Sequence, residues 1–146
     1  MRSSPAPDGA RLLRLQVPNE RAALETTRLR LLDFLQPDSL PDRVIYRLEL
    51  VLEEVLMNRL WHSGPQGSAA HTDLQLQVQP ERLVLRFEDG GPAFDPTQQR
   101  HPDLPTALAD ATPGGLGLLL TRKAVSSWCY ERVQDRNCLT LELARA

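Results

Sequence analysis

The segment TDLQLQVQPERLVLRFED, residues 72–89, constrains this chain more than any other stretch. Leu74, Leu76 and Val78 alternate with polar residues, the period-two pattern of a strand with one buried face, and RLVLRFED reads as a second strand directly after it. The junction Pro80–Arg82 suits a tight turn with Pro80 outside the ladder. It is far too short for the crossover of about a dozen residues that parallel neighbours require. The strands therefore form an antiparallel hairpin, and helices elsewhere in the chain have to gather on one face of the sheet.

The remaining elements fit that plan. RLLRLQVP alternates Leu13, Leu15 and Val17 and predicts a first strand stopped by Pro18. Asn19 is a candidate N-cap for a helix from about Glu20 to Leu35, with Leu24, Thr27, Leu31 and Leu35 on one side. After the loop QPDSLPD, a second helix runs without a breaker from Pro41–Asp42 to about His62. SGPQGSAA reads as flexible, and a short helix is expected around Leu104–Ala111. A helix from Gly117 to about Ser126 and a hairpin of residues 128–134 with 137–143 complete the order β-α-α-β-β-loop-α-β-β. The expected fold is α+β: a two-layer α/β sandwich whose sheet is mixed but mostly antiparallel, with helices on one face.

The chain has 146 residues, 41% hydrophobic and 25% charged, the size and composition of one globular domain able to bury a core. Residues 1–9 read as a disordered leader, 10–146 as a single domain. The leader lacks an apolar run, so it is not a secretory signal. No stretch approaches the roughly 18–20 apolar residues of a membrane span. A net charge of −2 offers no basic footprint for nucleic acid. Cys129 and Cys138 lack zinc-site spacing. A turn centred on Asp135–Arg136 would set Cys138 opposite Val133, leaving Cys129 roughly 13 Å away along the strand, too far for a disulfide. Two reduced thiols and a cytoplasmic protein are expected.

Three fragments bear on chemistry. In ELVLEEVLMNRLWH, Leu48, Val51, Leu52 and Val55 form an apolar stripe, and Glu54 and Asn58, four apart, border it on one side. An Asn oxygen is a hard ligand suited to Mg²⁺, and a Glu can polarise a hydroxyl that attacks a phosphoryl group. The same two residues are equally at home on a solvated helix face; Glu53 points about 100° away from Glu54. In RFEDGGPAFDP, Asp89 ends a strand where it could accept a hydrogen bond from an exocyclic amine such as adenine N6. Gly91 would admit the backbone close to the ring, and Phe94 would lie near the base. As a plain alternative, EDGGP ends a strand in a turn. In PGGLGLLLTRKAV, Gly114, Gly115 and Gly117 open a helix whose N-terminal amides favour an anion, or they form an ordinary flexible loop. The spacing is neither that of a P-loop nor that of a Rossmann fingerprint.

Taken in order, EEVLMN followed by His62, then EDGGPAFDP, then GGLGLLL, the chain resembles the GHKL ATPase/kinase superfamily through its N, G1 and G2 boxes. Within it, the D-x-G-x-P/A-F-D-P pattern and a closing N-x-L-x-L are similar to those of bacterial anti-sigma-factor serine kinases. The resemblance spans about residues 10–146. It implies Glu54 as general base, Asn58 as Mg²⁺ ligand and Asp89 as the adenine reader. It further implies an ATP site including His62, Gly91, Ala93, Phe94, Gly114, Gly115, Leu116, Gly117 and Leu118, under a lid of about 96–113. Such kinases bind Mg·ATP and often form homodimers. They hold a sigma factor inactive and phosphorylate an antagonist that otherwise displaces it.

Some positions depart from the family pattern. Arg59 follows Asn58 where a small residue is usual, and Ala93 replaces a glycine. No arginine stands immediately beside the glycines that follow Thr112–Pro113, so phosphate neutralisation would fall to Arg100, Arg122 or Lys123, which read first as surface charges. A nucleotide-tuned binding module without phosphoryl transfer is the alternative these departures motivate.

Overall fold

A computed structural model describes residues 3–5, 11–63, 71–98 and 115–146 of the chain. Six strands form one sheet: β1 (Ser3–Pro5), β2 (Arg11–Pro18), β3 (His71–Val78), β4 (Arg82–Asp89), β5 (Ser127–Val133) and β6 (Arg136–Ala144), in the spatial order β1-β2-β3-β4-β6-β5. Among the described residues, helices α1 (Ala23–Leu35), α2 (Asp42–Ser63) and α3 (Gly115–Ala124) accompany it. Fold class and layering are as the hairpin demanded.

Every described strand pair is antiparallel, whereas the sequence suggested a mixed sheet. The reason lies in the connections. Two helices between β2 and β3 return the chain in the opposite direction. Strands β4 and β5 run parallel, but β6 enters between them and pairs antiparallel with both.

The register lines up inward side chains in rows across the sheet. Leu13, Leu76, Leu85 and Leu141 face one another in successive pairs, and so do Leu15, Leu74, Phe87 and Leu139. All eight are buried, and the α2 stripe of Leu48, Val51, Leu52 and Val55 packs onto them together with Leu31 and Leu35 of α1. Two strand positions beyond the second row, the same inward face carries Thr72, Asp89 and Asn137, all buried. The apolar ladder therefore ends in a polar rung.

Several local expectations are corrected. Residues Ser3–Pro5 pair with Arg11–Leu13 as a short edge strand, although the sequence suggested an unstructured leader; β2 gains a ladder partner it would otherwise lack. Helix α1 starts at Ala23 rather than Glu20, and its Ala22 cap makes no side-chain bond. Residues 20–22 form a turn instead (Ala23 N–H to the Glu20 carbonyl, 3.0 Å), which swings the chain from the sheet edge onto its face and takes Asn19 out of the capping position. Helix α3 spans Gly115–Ala124, two residues earlier than expected. The closing hairpin turns on Gln134 and Asp135, both left-handed (φ 50° and 63°), as a two-residue hairpin loop requires. Cys138 consequently faces Glu131, not Val133, and Cys129 faces Thr140; both thiols are free. The helix expected at Leu104–Ala111 lies outside the described residues.

Leu85 is fully buried in the middle strand of the ladder, flanked by Leu76 and Leu141. Leu85→Ala is expected to cost about 2–5 kcal/mol of stability, read from urea denaturation.

Candidate nucleotide site

Asp89 and Asn137 of the polar rung floor a small cavity of about 40 Å³, partly open to solvent, walled by α2, the strand ends and the segment after β4. Val55, Phe87, Leu139, Phe94, Pro96 and Tyr130 give it apolar sides, while Asn58, Arg59, Asp89 and Asn137 supply polar groups. A mostly apolar cleft with a few convergent polar atoms is the usual form of a small-ligand site.

Asp89 lies at the end of β4, where strand alternation turns it inward. Its Oδ1 accepts from the Gly91 amide (2.9 Å) and from Asn137 Nδ2 (2.8 Å), and its Oδ2 meets Arg59 Nε at 2.8 Å. The first of these bonds closes the turn of the EDGG motif on its own carboxylate. Asn137, directly opposite Asp89 in the register, also donates to the Pro92 carbonyl (2.9 Å) and accepts from the Phe94 amide, the Tyr130 hydroxyl and Arg132. Arg132 donates in turn to the Gly91 carbonyl at 2.8 Å. Asp95 then begins a short 3₁₀ turn at Pro96–Gln98 by accepting from the Thr97 amide (2.8 Å) and hydroxyl (2.6 Å). The glycine-rich segment is thus held from both sides.

On α2, the Asn58 amide donates to the Glu54 carbonyl one turn back (2.9 Å). This fixes the side chain and leaves its Oδ1 buried with no hydrogen-bond partner. A buried unsatisfied acceptor is costly and calls for a ligand. A hard cation that takes one protein oxygen and completes its shell with phosphates and water fits it. Glu54 is half-buried and stands outside the residues that line the cavity; Glu53 is exposed, as its helical phase requires. Burial, reinforced by the charge of Glu53, raises the Glu54 pKa above that of an ordinary glutamate.

The structure brings together Asn58, Asp89, Gly91 and Phe94 of the residues singled out from the sequence. Ala93 is exposed on the same segment. Gly115, Leu116, Gly117 and Leu118 form the first turn of α3, which packs against α2. Gly114, residues 99–113 of the expected lid (about 96–113), Arg100 among them, and the side chain of His62 lie outside the described residues. Arg122 and Lys123 sit in the last turn of α3, at the opposite end from the amides that favour an anion, where they complement the helix dipole instead.

Two contributors were missed. Asn137 is the first letter of a closing motif but not a site residue in the sequence reading; its position opposite Asp89 depends on the β4–β6 register, a pairing of strands distant in the chain that no local pattern sets. Arg59 was noted as a departure but not as a buried residue. The available signal was its place four residues after Val55, on the inward stripe, where an arginine needs a buried carboxylate.

With this geometry in place, comparison defines the class: the chain belongs to the histidine kinase-like ATPase domain family, whose model matches residues 17–143. Among individual proteins, it is 36% identical over 126 residues to the serine/threonine-protein kinase BtrW of Bordetella bronchiseptica, covering 84% of this chain and 89% of that protein. The fold is shared with part of a Mycobacterium tuberculosis chain that comprises RsbU and RsbW domains (TM-score 0.63, 15% identity, 92% of this chain and 32% of that one). It is shared too with a chain of the SiaB–SiaC complex from Pseudomonas aeruginosa (TM-score 0.60, 16% identity, 90% and 89%).

Two outcomes are expected. Asn137→Ala should cost about 1–3 kcal/mol in urea denaturation and make the 90–98 segment more sensitive to protease. A raised Glu54 pKa means that the folded state holds its proton more tightly than the unfolded chain. Below the unfolded glutamate pKa the penalty of a buried charge is absent, and it is fully present above the folded pKa. Glu54→Gln should therefore raise Tm at pH 7 by on the order of a few °C, with the gain vanishing on acidification below the glutamate range.

Proposed function

We propose that the chain is an ATP-dependent protein-serine/threonine kinase of a partner-switching pathway. It phosphorylates a protein antagonist and holds a sigma factor or similar regulator inactive. The observation that carries this reading is the buried, unpartnered Asn58 oxygen one turn beyond a glutamate of raised pKa. The kinship to a serine/threonine-protein kinase over most of both chains supports it.

In this reading Asn58 holds Mg²⁺, which neutralises charge on the transferred phosphoryl group when bound. Glu54 accepts the proton of the attacking serine or threonine hydroxyl, and its raised pKa brings its basicity closer to that task. Asp89, Gly91, Ala93 and Phe94 form the base end. His62 and Gly114–Leu118 belong to the phosphate end, where the α3 N-terminus offers backbone amides. The lid, about 96–113, closes over the nucleotide. The protein works in the cytoplasm as a homodimer, with protein partners rather than nucleic acid or membrane.

A second reading, a nucleotide-tuned binding module without phosphoryl transfer, is favoured by one feature: the Arg59–Asp89 ion pair at the base end. Radiolabelled ATP, Mg²⁺ and a bound antagonist separate the two. Wild type should label the antagonist. Glu54→Gln should slow labelling by about 10²-fold or more while retaining nucleotide, and Asn58→Ala should lose the metal dependence of ATP binding. Absence of labelling in a complex that binds both ATP and antagonist would leave the binding module standing.

A further inference from the structure

The residue that the sequence marked as out of place has a specific job in the cavity. Arg59 occupies the inward stripe of α2, is 8% exposed, and reaches across to the sheet. Its Nε lies 2.8 Å from Asp89 Oδ2 and 3.5 Å from Thr72 Oγ1. A carboxylate offers about four acceptor positions. The Gly91 amide and the Asn137 amide take two on Oδ1, and Arg59 takes one on Oδ2. Asp89 itself is 3% exposed, so little of it is open to an incoming ligand.

We propose that Arg59 sets the base selectivity of this pocket by neutralising the carboxylate and taking one of the two Oδ2 acceptor positions that could receive the exocyclic amine of the base. The inference rests on the nucleotide-binding reading above. With Arg59 in place, the floor of the cavity is a neutralised ion pair that presents both a donor and an acceptor. A 6-aminopurine gains little there over a 6-oxopurine, because the carboxylate is engaged and the guanidinium can donate to a carbonyl oxygen. Without the guanidinium, the same carboxylate accepts from an amine and repels a carbonyl oxygen. The apolar walls, Phe94 and Tyr130 among them, hold either ring. Selectivity for the nucleotide then falls to the shape of the cleft and to the phosphate end.

The test is calorimetric titration of the full chain with ATP and with inosine triphosphate, both with Mg²⁺, on wild type, Arg59→Ala and Arg59→Met. The methionine variant keeps an apolar stem in the helix–sheet interface, and a thermal melt verifies that each protein is folded. Wild type should bind the two triphosphates within about threefold of each other. Both variants should favour ATP by about tenfold or more, the scale of a hydrogen bond to a charged acceptor. A purely structural role for Arg59 would move both affinities together and leave the ratio unchanged, which overturns the inference while the nucleotide site stands. So does a strong preference for ATP in the wild type. If none of the three folded proteins binds either triphosphate, the nucleotide reading itself fails and the selectivity role falls with it.

Discussion

One buried carboxylate organises the working end of this molecule. Asp89 is turned inward by the same alternation that buries Leu85 and Phe87, and once there it cannot remain alone, because an unpaired buried charge is among the costliest features a fold can carry. Arg59, Gly91 and Asn137 answer it from a helix, a loop and a neighbouring strand. Three elements are thereby tied to a common point. Hydrogen bonds with Asn137 and Arg132 hold the loop at the strand ends, and Phe94 and Pro96 of that loop wall the cavity.

The fold was largely legible because its signals are local. The period-two runs in β2, β3 and β4 and the unbroken stripe of α2 each announce their own buried face, and a three-residue junction decides the direction of the central hairpin. Where the reading slipped, the deciding physics was distant. The first turn before α1 is set by how the chain leaves the sheet edge, which a cap-like Asn19 cannot reveal. The β5–β6 register depends on two non-glycine residues accepting left-handed geometry, a choice Gln134 and Asp135 do not advertise. Ser3–Pro5 becomes a strand only because Arg11–Leu13 has a free edge to offer.

The site was legible in part for the same reason. Asn58, Asp89 and Gly91 belong to short motifs, and the fold brings them together at one end of the sheet. Asn137 and Arg59 matter only through partners 48 and 30 positions away along the chain, and no local pattern expresses that. Arg59 shows how a departure from a family pattern can be misjudged: read as a surface substitution it is minor, but on the buried stripe it changes the charge of the cavity floor.

The place of β6 has a consequence for how the protein is made. It follows every other strand in the chain, yet lies between two of them, and it carries Asn137 into the ring of bonds around Asp89. During synthesis β4 therefore waits with one ladder edge bare until β6 has left the ribosome. Ligand has no floor to bind before that moment, so it cannot template the early steps of folding and can only stabilise the finished domain.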